Sequence, residues 1–220
     1  MVFKGSFQAL TSGCDCRAAF RAAYENRYTW DTNFSGYKGR CLWIMWGRTV
    51  EGIFQVGSDL RPSTNGVSDD SIDKAFLSQL REVAIHRVRR GFDATHGENT
   101  FTAGNISDVG IEVIVGGKNA GDRYRIKNDV VTMVYRHIHG SLITIFTQEV
   151  VNTGNGYLSK SYTSQYKDPK TGENIGTKTQ FTDSFQPVTS DGPWVLRERI
   201  VEKDSSKDLE VFKFLDMKPL

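Results

Sequence analysis

The spacing of hydrophobic and polar residues changes once along the chain, near Thr100. Upstream of this point, two stretches combine residues of high helix propensity with apolar positions three and four residues apart, the spacing of one helix face. Downstream, apolar and polar residues alternate, as they do in strands that bury a single face. The pattern predicts an α+β fold, with its helices early and most of its strands late.

Two helices are predicted in the first part of the chain. Residues 14–28 contain alanines of high helix propensity and an aromatic pair, Phe20 and Tyr24, four positions apart. Residues 68–90 predict the main helix, because capping side chains stand at its start and cations at its end, where the helix dipole favours them. The residues that mark its ends are Ser68, Asp69, Asp70, Arg87, Arg89, Arg90 and Gly91.

Strand signals occur before and after the main helix. Residues 37–46 and 48–57 flank Gly47 and predict a hairpin. Later strands are predicted at 109–115, 123–127, 130–139, 142–152, 157–166, 174–186, 194–203 and 209–215. The links between them are too short for crossover helices, so the sheet is antiparallel. We predict a large curved antiparallel sheet of about eight to ten strands, a partial or closed barrel, with the long helix packed against it and a short N-terminal helix.

Composition and charge narrow the class of protein. Residues 1–13 are expected to form a loose leader and residues 14–220 a single α+β domain. Lys plus Arg total 28 against 26 Asp plus Glu, a net charge of +2, which does not indicate nucleic acid as a partner. No apolar run reaches the roughly 18 residues of a membrane span, and the N-terminus lacks the apolar segment of a secretory signal. A cytoplasmic protein without membrane insertion is expected.

The cysteines do not indicate a cofactor. Cys14, Cys16 and Cys41 are odd in number, and no second close pair accompanies the first two. Reduced thiols are therefore expected, with neither a disulfide framework nor a metal site. The familiar signatures of serine hydrolases, zinc proteases and P-loop proteins are absent. The glycine-rich run 116–121 lacks the helix that a phosphate-binding loop needs, and indicates a hairpin.

The first candidate for chemistry is the strand around residues 133–139. Alternation places Met133, Tyr135, His137 and His139 on one face. Imidazole titrates near neutral pH and suits general acid–base catalysis. His-X-His is also a metal-ligand spacing, but the third and fourth ligands are unidentified. Both histidines could equally be hydrogen-bonded surface or core residues.

The second candidate is the end of the long helix. In projection, Arg87 lies inside the apolar arc of this helix, with His86 and Arg90 at its edge. An arginine on an apolar stripe needs an anion or a route to solvent. Arg87 could bind a substrate carboxylate, or it could pair with a buried carboxylate such as Glu112, which lies in an apolar strand.

Two further segments have alternative interpretations. Trp43 and Met45 share one face of a strand that is apolar on both sides, so they belong either to the core or to a pocket. Residues 92–101 form a polar segment with Asp93, His96 and Glu98. This segment is either a functional loop or a turn whose side chains satisfy local backbone groups.

The sequence from about residue 17 to the C-terminus resembles a mostly cyanobacterial and plastid family catalogued as a domain of unknown function. The stretches that carry the resemblance are 20–31, 80–90, 121–124, 136–140, 157–159 and 168–173. The family name implies no activity. A cyanobacterial cyclase of the scytonemin sunscreen pathway is similar in size and also has no known enzyme motif.

That likeness implies a cofactor-free cyclase or lyase. Its substrate would be an indole-bearing aromatic β-keto acid, and ring closure of the indole onto the ketone would release water and carbon dioxide. A protonated histidine would deliver a proton to the ketone oxygen, and a base would take one from the indole carbon. The residues assigned to catalysis are His137, His139, His86 and Glu112, and those assigned to the substrate are Arg87, Arg90, Trp43, Met45, Met133 and Tyr135.

The alternative is a non-catalytic carrier or assembly protein that binds a lipid, pigment or isoprenoid in photosynthetic cells. A carrier predicts a cavity lined almost wholly by apolar groups, whereas an enzyme predicts histidine and arginine side chains that converge inside it. A homodimer is possible in either case, because antiparallel sheets with exposed edges often pair.

Overall fold

The computed structural model describes residues 15–206 and 208–220. The predicted leader and Cys14 lie outside the described residues. The helices are α1 (Cys16–Glu25), α2 (Asp70–Arg87) and α3 (Phe92–His96). The strands are β1 (Gly36–Met45), β2 (Arg48–Gly57), β3 (Pro62–Asn65), β4 (Asn99–Ser107), β5 (Gly110–Gly117), β6 (Arg123–Lys127), β7 (Val130–Ile138), β8 (Ser141–Asn152), β9 (Tyr157–Lys167), β10 (Asn174–Pro187), β11 (Trp194–Lys203) and β12 (Leu209–Pro219).

The strands form a sheet of 12 strands in the order β3-β2-β1-β12-β11-β10-β9-β8-β7-β6-β5-β4. The pairings for which a register is defined, such as β1 with β2, are antiparallel. The antiparallel sheet is thus confirmed, with more strands than predicted. Its order begins at β3 and ends at β4, which are not hydrogen-bonded neighbours among the described strands. The sheet is therefore open, and the closed form of the predicted barrel is wrong.

The long helix is shorter than predicted. Asp69 caps its start, and its carboxylate accepts hydrogen bonds from the backbone N–H groups of Ser71 and Ile72. The helix ends at Arg87 after 18 residues, because the next residue, Val88, has an extended backbone with φ −64° and ψ 124°. The following segment, predicted to be a polar loop, contains helix α3.

The chain divides into two compact units. Unit 1 contains the described residues up to Arg27, Arg90–Thr147 and Tyr166–Ile175, and unit 2 contains Tyr28–Arg89, Gln148–Gln165 and the described residues from Gly176. Each unit has its own apolar core. The expectation of a single domain over residues 14–220 stays a prediction.

Unit 1 packs α1 and α3 against one face of its strands, here called the core face. Phe20 of α1 stacks on Tyr124 of β6, with ring centroids 4.4 Å apart, and meets Phe92 of α3 edge-on at 5.7 Å. Val134 of β7 packs against the same core. Because side chains alternate along a strand, the residues on either side of Val134 project from the opposite, outer face.

Unit 2 packs α2 against one face of its strands, here called the inner face. Phe76 of α2 lies edge-on to Phe212 of β12, with ring centroids 5.8 Å apart. The helix also buries Leu80, Val83 and Ala84. The sheet supplies the other side of this core through Tyr37, Cys41, Trp43, Val50, Phe54, Val56, Val201, Phe212 and Phe214. Among the described residues, no helix combines the length and apolar composition that crossing a bilayer requires.

Candidate functional site

A buried ion pair lies on the inner face of unit 2. Asp183 of β10 and Arg199 of β11 are directly opposite in the strand register. Arg199 donates hydrogen bonds to Asp183 through Nε at 2.7 Å and Nη2 at 2.6 Å. Both residues are 2% exposed. Bidentate pairing of this kind is the strongest arrangement of arginine with a carboxylate, although burial still raises the pKa of Asp183 against the influence of Arg199.

The same arginine ties the helix to the sheet. Its Nη1 donates to Gln79 Oε1 at 2.9 Å and to Glu82 Oε2 at 3.0 Å, and both acceptors belong to α2. Its Nη2 also donates to the hydroxyl of Tyr162 at 2.8 Å. Burial opposes the charge of Arg199, but the hydrogen bonds to Asp183 outweigh it and raise its pKa. Arg199 is therefore a permanently charged link between α2 and strands β9 and β10.

Two other polar atoms in this interior have no partner. The Nε of Arg87 and the hydroxyl of Tyr37 are buried, and neither forms a hydrogen bond within the described part of the chain. Burial lowers the pKa of Arg87 to about 10, against the opposing influence of Asp183. Burial also raises the pKa of Tyr37, although the positive charge of Arg87 acts in the other direction. The two groups therefore lie in one electrostatic environment.

Trp30 connects Arg87 and Tyr37. The carbonyl of Arg87, the last residue of α2, accepts a hydrogen bond from the Trp30 backbone N–H at 2.8 Å. The Trp30 ring lies edge-on to Tyr37, with centroids 6.0 Å apart. The guanidinium of Arg87 lies 5.7 Å from the centroid of the Phe185 ring, and Tyr37 lies 5.6 Å from Phe54. The unpartnered donors are thus set among aromatic side chains.

A groove lies across β1, β2, β3 and β12 of unit 2, lined mainly from the outer face of the sheet. Its volume is about 560 Å³, and its lining includes Lys38, Arg40 and Lys218 together with Ile53 and Asp216. Arg40 donates to Asp216 at 2.7 Å, whereas Lys38 and Lys218 stand directly opposite each other in the register. Like charges in that position repel, and three cations against one carboxylate give this groove a positive charge.

Three predicted site residues lie on the outer face of unit 1. Met133, Tyr135 and His137 alternate with Val134, which packs against the core, so they project away from it. Met133 is buried and Tyr135 half-buried, with Arg123 5.7 Å from its ring centroid. His137 is exposed, and its backbone N–H donates to Asp122 at 3.3 Å. The strand face that was predicted to line a cavity is therefore exposed to solvent at His137.

His139 does not share that face, and this part of the prediction is wrong. It lies in the turn between β7 and β8, with φ +49°, and Gly140 follows with φ +79°. Two consecutive positive φ angles are typical of the tight turn that joins antiparallel strands. The alternation rule ends where the strand ends, so His139 is an exposed turn residue.

Glu112 is buried and has partners in unit 1. Arg123 lies 3.7 Å from its carboxylate, and the backbone N–H of Asn105 donates to it at 3.2 Å. A Cβ at Gly104 would lie 2.4 Å from this carboxylate, so the glycine leaves room for it. The alternative in which Arg87 pairs with Glu112 is therefore wrong, because Glu112 is paired with Arg123.

The other predicted residues are distributed over both units. His86 is exposed on α2, and Arg90 is exposed beyond its end. Trp43 is buried in the core of unit 2, and its indole N–H donates to Glu210 at 2.8 Å. Met45 packs against the same core. For Trp43 and Met45, the core interpretation agrees with this packing.

The sequence interpretation did not identify Arg199, Asp183 and Tyr37. The sequence did contain an indication of the buried Asp183. It alternates with Phe181 and Phe185, so all three side chains lie on the face of the strand that packs against the core. A charged residue at such a position needs a partner inside the protein. No group of three or more histidine, cysteine, aspartate or glutamate residues in the described ranges could hold a metal ion.

The chain matches one protein family and is similar to several solved structures. A family model described as protein of unknown function (DUF3386) matches residues 11–220. No curated protein is similar enough to match the chain. A solved outer membrane lipoprotein-sorting protein domain from Vibrio parahaemolyticus is 7% identical, with 92% of this chain and 90% of that chain covered and a TM-score of 0.34. A LolA superfamily protein from Nitrosomonas europaea is 10% identical, with 93% of each chain covered and a TM-score of 0.31. A DUF1329 family protein from Desulfovibrio piger is 10% identical, with 93% and 92% covered and a TM-score of 0.30.

The prediction of a cyclase or lyase is wrong. The geometry agrees with this correction, because His86, His137 and His139 are all exposed and do not converge with the predicted substrate residues in the interior of either unit.

Proposed function

This chain belongs to the DUF3386 family of proteins of unknown function, and we propose that it is a non-catalytic protein that binds an apolar, lipid-like ligand in unit 2. The ligand lies between α2 and the inner face of the sheet. The chemical classes that suit this interior are lipids, isoprenoids and apolar pigments, as in the carrier interpretation of the sequence.

The observation that carries the proposal is the composition of the inner face. Phe212 and Phe214 lie edge-on to Phe76 of α2, and Trp43 and Phe54 belong to the same buried apolar cluster. Each aromatic side chain offers roughly 150–250 Å² of apolar surface to a neighbour. Apolar ligand pockets are lined in this way, with few polar groups that fix orientation. Here those polar groups are the Arg199 network and the pair Arg87 and Tyr37.

The attachment of the helix supports entry of a ligand. The side chains of α2 that contact the sheet are mostly apolar, and its polar links include Gln79 and Glu82 with Arg199 and Asp73 with Thr64 of β3. Apolar contacts are non-directional, so the helix can shift on the sheet without leaving many hydrogen-bonding groups unpaired. A cytoplasmic location and a role in photosynthetic cells remain parts of this proposal.

The experiment uses the tryptophan emission of the whole protein. All four tryptophans, Trp30, Trp43, Trp46 and Trp194, lie in unit 2. Titration with dodecan-1-ol should change their emission and saturate at one molecule per chain. The variant Ala84→Phe fills the fully buried side of α2 and should weaken binding about tenfold or more. Its matched control, Ile85→Phe, changes a residue that is 55% exposed on the same helix and should bind as the unchanged protein does.

Folding of each variant is checked by circular dichroism before titration. Because overpacking can destabilise a core, Leu80→Ala is measured as well, since it enlarges the same interior and should alter affinity without adding volume. If dodecan-1-ol does not bind, or if Ala84→Phe and Ile85→Phe bind it equally well, the proposed function is wrong.

A further inference from the structure

The interior of unit 2 contains two hydrogen-bond donors that the chain itself leaves unused. The Arg87 Nε–H and the Tyr37 O–H are buried, and within the described residues neither has an acceptor. Tyr37 is 0% exposed. Buried donors without acceptors are uncommon in folded proteins, because each loses its hydrogen bonds to water and gains nothing in return. Both residues adjoin Trp30, Arg87 through a backbone hydrogen bond and Tyr37 through a ring contact at 6.0 Å, which indicates one site for an acceptor from outside the chain.

Asp183, the carboxylate whose charge acts on Arg87, and Glu82 on the same helix are both engaged by Arg199. Asp183 accepts both its hydrogen bonds from Arg199, at 2.6 and 2.7 Å, and Glu82 accepts from Arg199 at 3.0 Å. Arg199 thus uses both carboxylates of the cluster, and neither is hydrogen-bonded to Arg87. The buried Nε of Arg87 faces aromatic surface instead, with the Phe185 ring 5.7 Å from its guanidinium carbon.

We propose that the ligand of unit 2 ends in a carboxylate, and that Arg87 Nε–H and Tyr37 O–H donate to its two oxygens. This inference rests on the proposed function and specifies its ligand class as an apolar carboxylic acid. The hydrocarbon part extends along the inner face, past Phe54 and Phe185, which adjoin the two donors. The carboxylate thereby fixes the orientation of the ligand, whose hydrocarbon part has no polar group of its own.

The chemistry of the donors favours a carboxylate over a phosphate. One guanidinium N–H and one hydroxyl match two acceptor oxygens, whereas a phosphate ester offers more oxygens and more charge than the site can satisfy. Hydrogen bonds to charged acceptors are stronger than neutral ones, and more so in a water-poor interior. A ligand carboxylate would also offset the effect of burial on Arg87, whose pKa is lowered to about 10 in the chain alone.

The test compares two molecules of equal chain length, dodecanoic acid and dodecan-1-ol, at a pH of about 8, where the acid is ionised. We expect the unchanged protein to bind the acid about tenfold tighter than the alcohol or better, measured by isothermal titration calorimetry. Arg87→Gln and Tyr37→Phe should each weaken binding of the acid more than binding of the alcohol, and so reduce this preference strongly. Arg81→Gln removes an exposed arginine on the same helix and should retain the preference.

Stability of the unliganded protein provides a second measurement. Tyr37→Phe removes a hydroxyl that has no partner, so its melting temperature should be unchanged or higher. Weaker binding of the acid by a variant that is no less stable cannot be attributed to unfolding. The control Tyr28→Phe should lower the melting temperature, because the Tyr28 hydroxyl accepts a hydrogen bond from the Trp194 backbone N–H at 2.9 Å.

The outcomes separate the two proposals. Equal affinity of the unchanged protein for acid and alcohol would overturn the carboxylate site and leave the proposed function in place. Retention of the acid preference in both Arg87→Gln and Tyr37→Phe would also overturn the site. Binding of neither molecule would overturn the proposed function together with this inference.

Discussion

At the scale of single residues, the hydrogen bonds of a neighbouring asparagine determine the protonation state of His96. Asn119 donates its backbone N–H to Asn99 Oδ1 at 3.0 Å, which fixes the amide and turns Asn99 Nδ2 towards His96 Nδ1 at 3.1 Å. The Nδ1 must therefore accept, and His96 is neutral. Burial, with a contribution from Arg136, lowers its pKa to about 4.

This geometry predicts a stability that falls in mildly acidic solution. The unfolded chain takes up a proton on His96 below a pH of about 6.5, whereas the folded chain resists it down to about 4. The contribution of neutral His96 to the free energy of unfolding is therefore fully present above a pH of about 6.5. It is lost as the pH falls towards about 4, and the loss is roughly 1 to 3 kcal/mol. Urea unfolding followed by circular dichroism from pH 7 to 4 measures it, because no tryptophan lies in unit 1.

His96→Gln should flatten this pH dependence. The control His137→Gln changes an exposed histidine of the same unit and should leave the dependence unaltered. If the two variants show the same slope as the unchanged protein, His96 is not the group responsible and the account of its protonation fails.

The residues of the candidate site were predictable only in part. The helical projection placed Arg87 on the apolar arc of its helix, and its Nε is indeed buried. Tyr37 carries no such signal, because a tyrosine at an inward position is ordinary in any core. His137 and His139 attracted attention through their chemistry, but a strand pattern cannot indicate which face of a sheet a helix will cover.

At the scale of elements, the Arg199 network joins α2 to the sheet. Asp183→Asn removes one charge of a pair in which both residues are 2% exposed, and leaves the arginine with only Glu82 and neutral partners. Breaking a buried pair by removing one partner costs about 3–5 kcal/mol. We expect a loss of this size in the free energy of unfolding, measured by urea denaturation with tryptophan emission.

The matched control is an exposed ion pair in the same unit. Lys160 and Glu149 are 2.8 Å apart, with side chains 49% and 59% exposed. Glu149→Gln should cost less than about 1 kcal/mol, because water screens such a pair. Equal effects of the two substitutions would contradict the structural role given to Arg199.

Element boundaries followed from the sequence where the pattern was regular. Strand β6 spans residues 123–127 as predicted, since Tyr124 and Ile126 alternate with charged residues. Strand β3 was not predicted, because its four residues, PSTN, contain no apolar alternation and pair with β2 through backbone groups. Strand β4 was missed because a bulge after Ala103 interrupts its period of two.

At the scale of the whole molecule, the two units have cores of different character. The core of unit 1 packs around Phe20, Phe92 and Tyr124, and its buried polar residues His96 and Glu112 have partners in Asn99 and Asn105. The interior of unit 2 includes two buried donors, Arg87 Nε–H and Tyr37 O–H, that have no hydrogen-bond partner within the described residues. Because of this contrast we place the proposed ligand in unit 2, and neither composition nor periodicity distinguishes the two units in this way.

Photochemical labelling of the whole protein tests this assignment most directly. A long-chain fatty acid with a diazirine near the end of its chain is bound, irradiated, and located by mass spectrometry of the peptides. We expect labels on α2, residues 70–87, and on inward-facing residues of unit 2 such as Phe185 and Phe212, all suppressed by excess dodecanoic acid. Labels confined to unit 1, or to outer-groove residues such as Ile53 and Lys38, would contradict it.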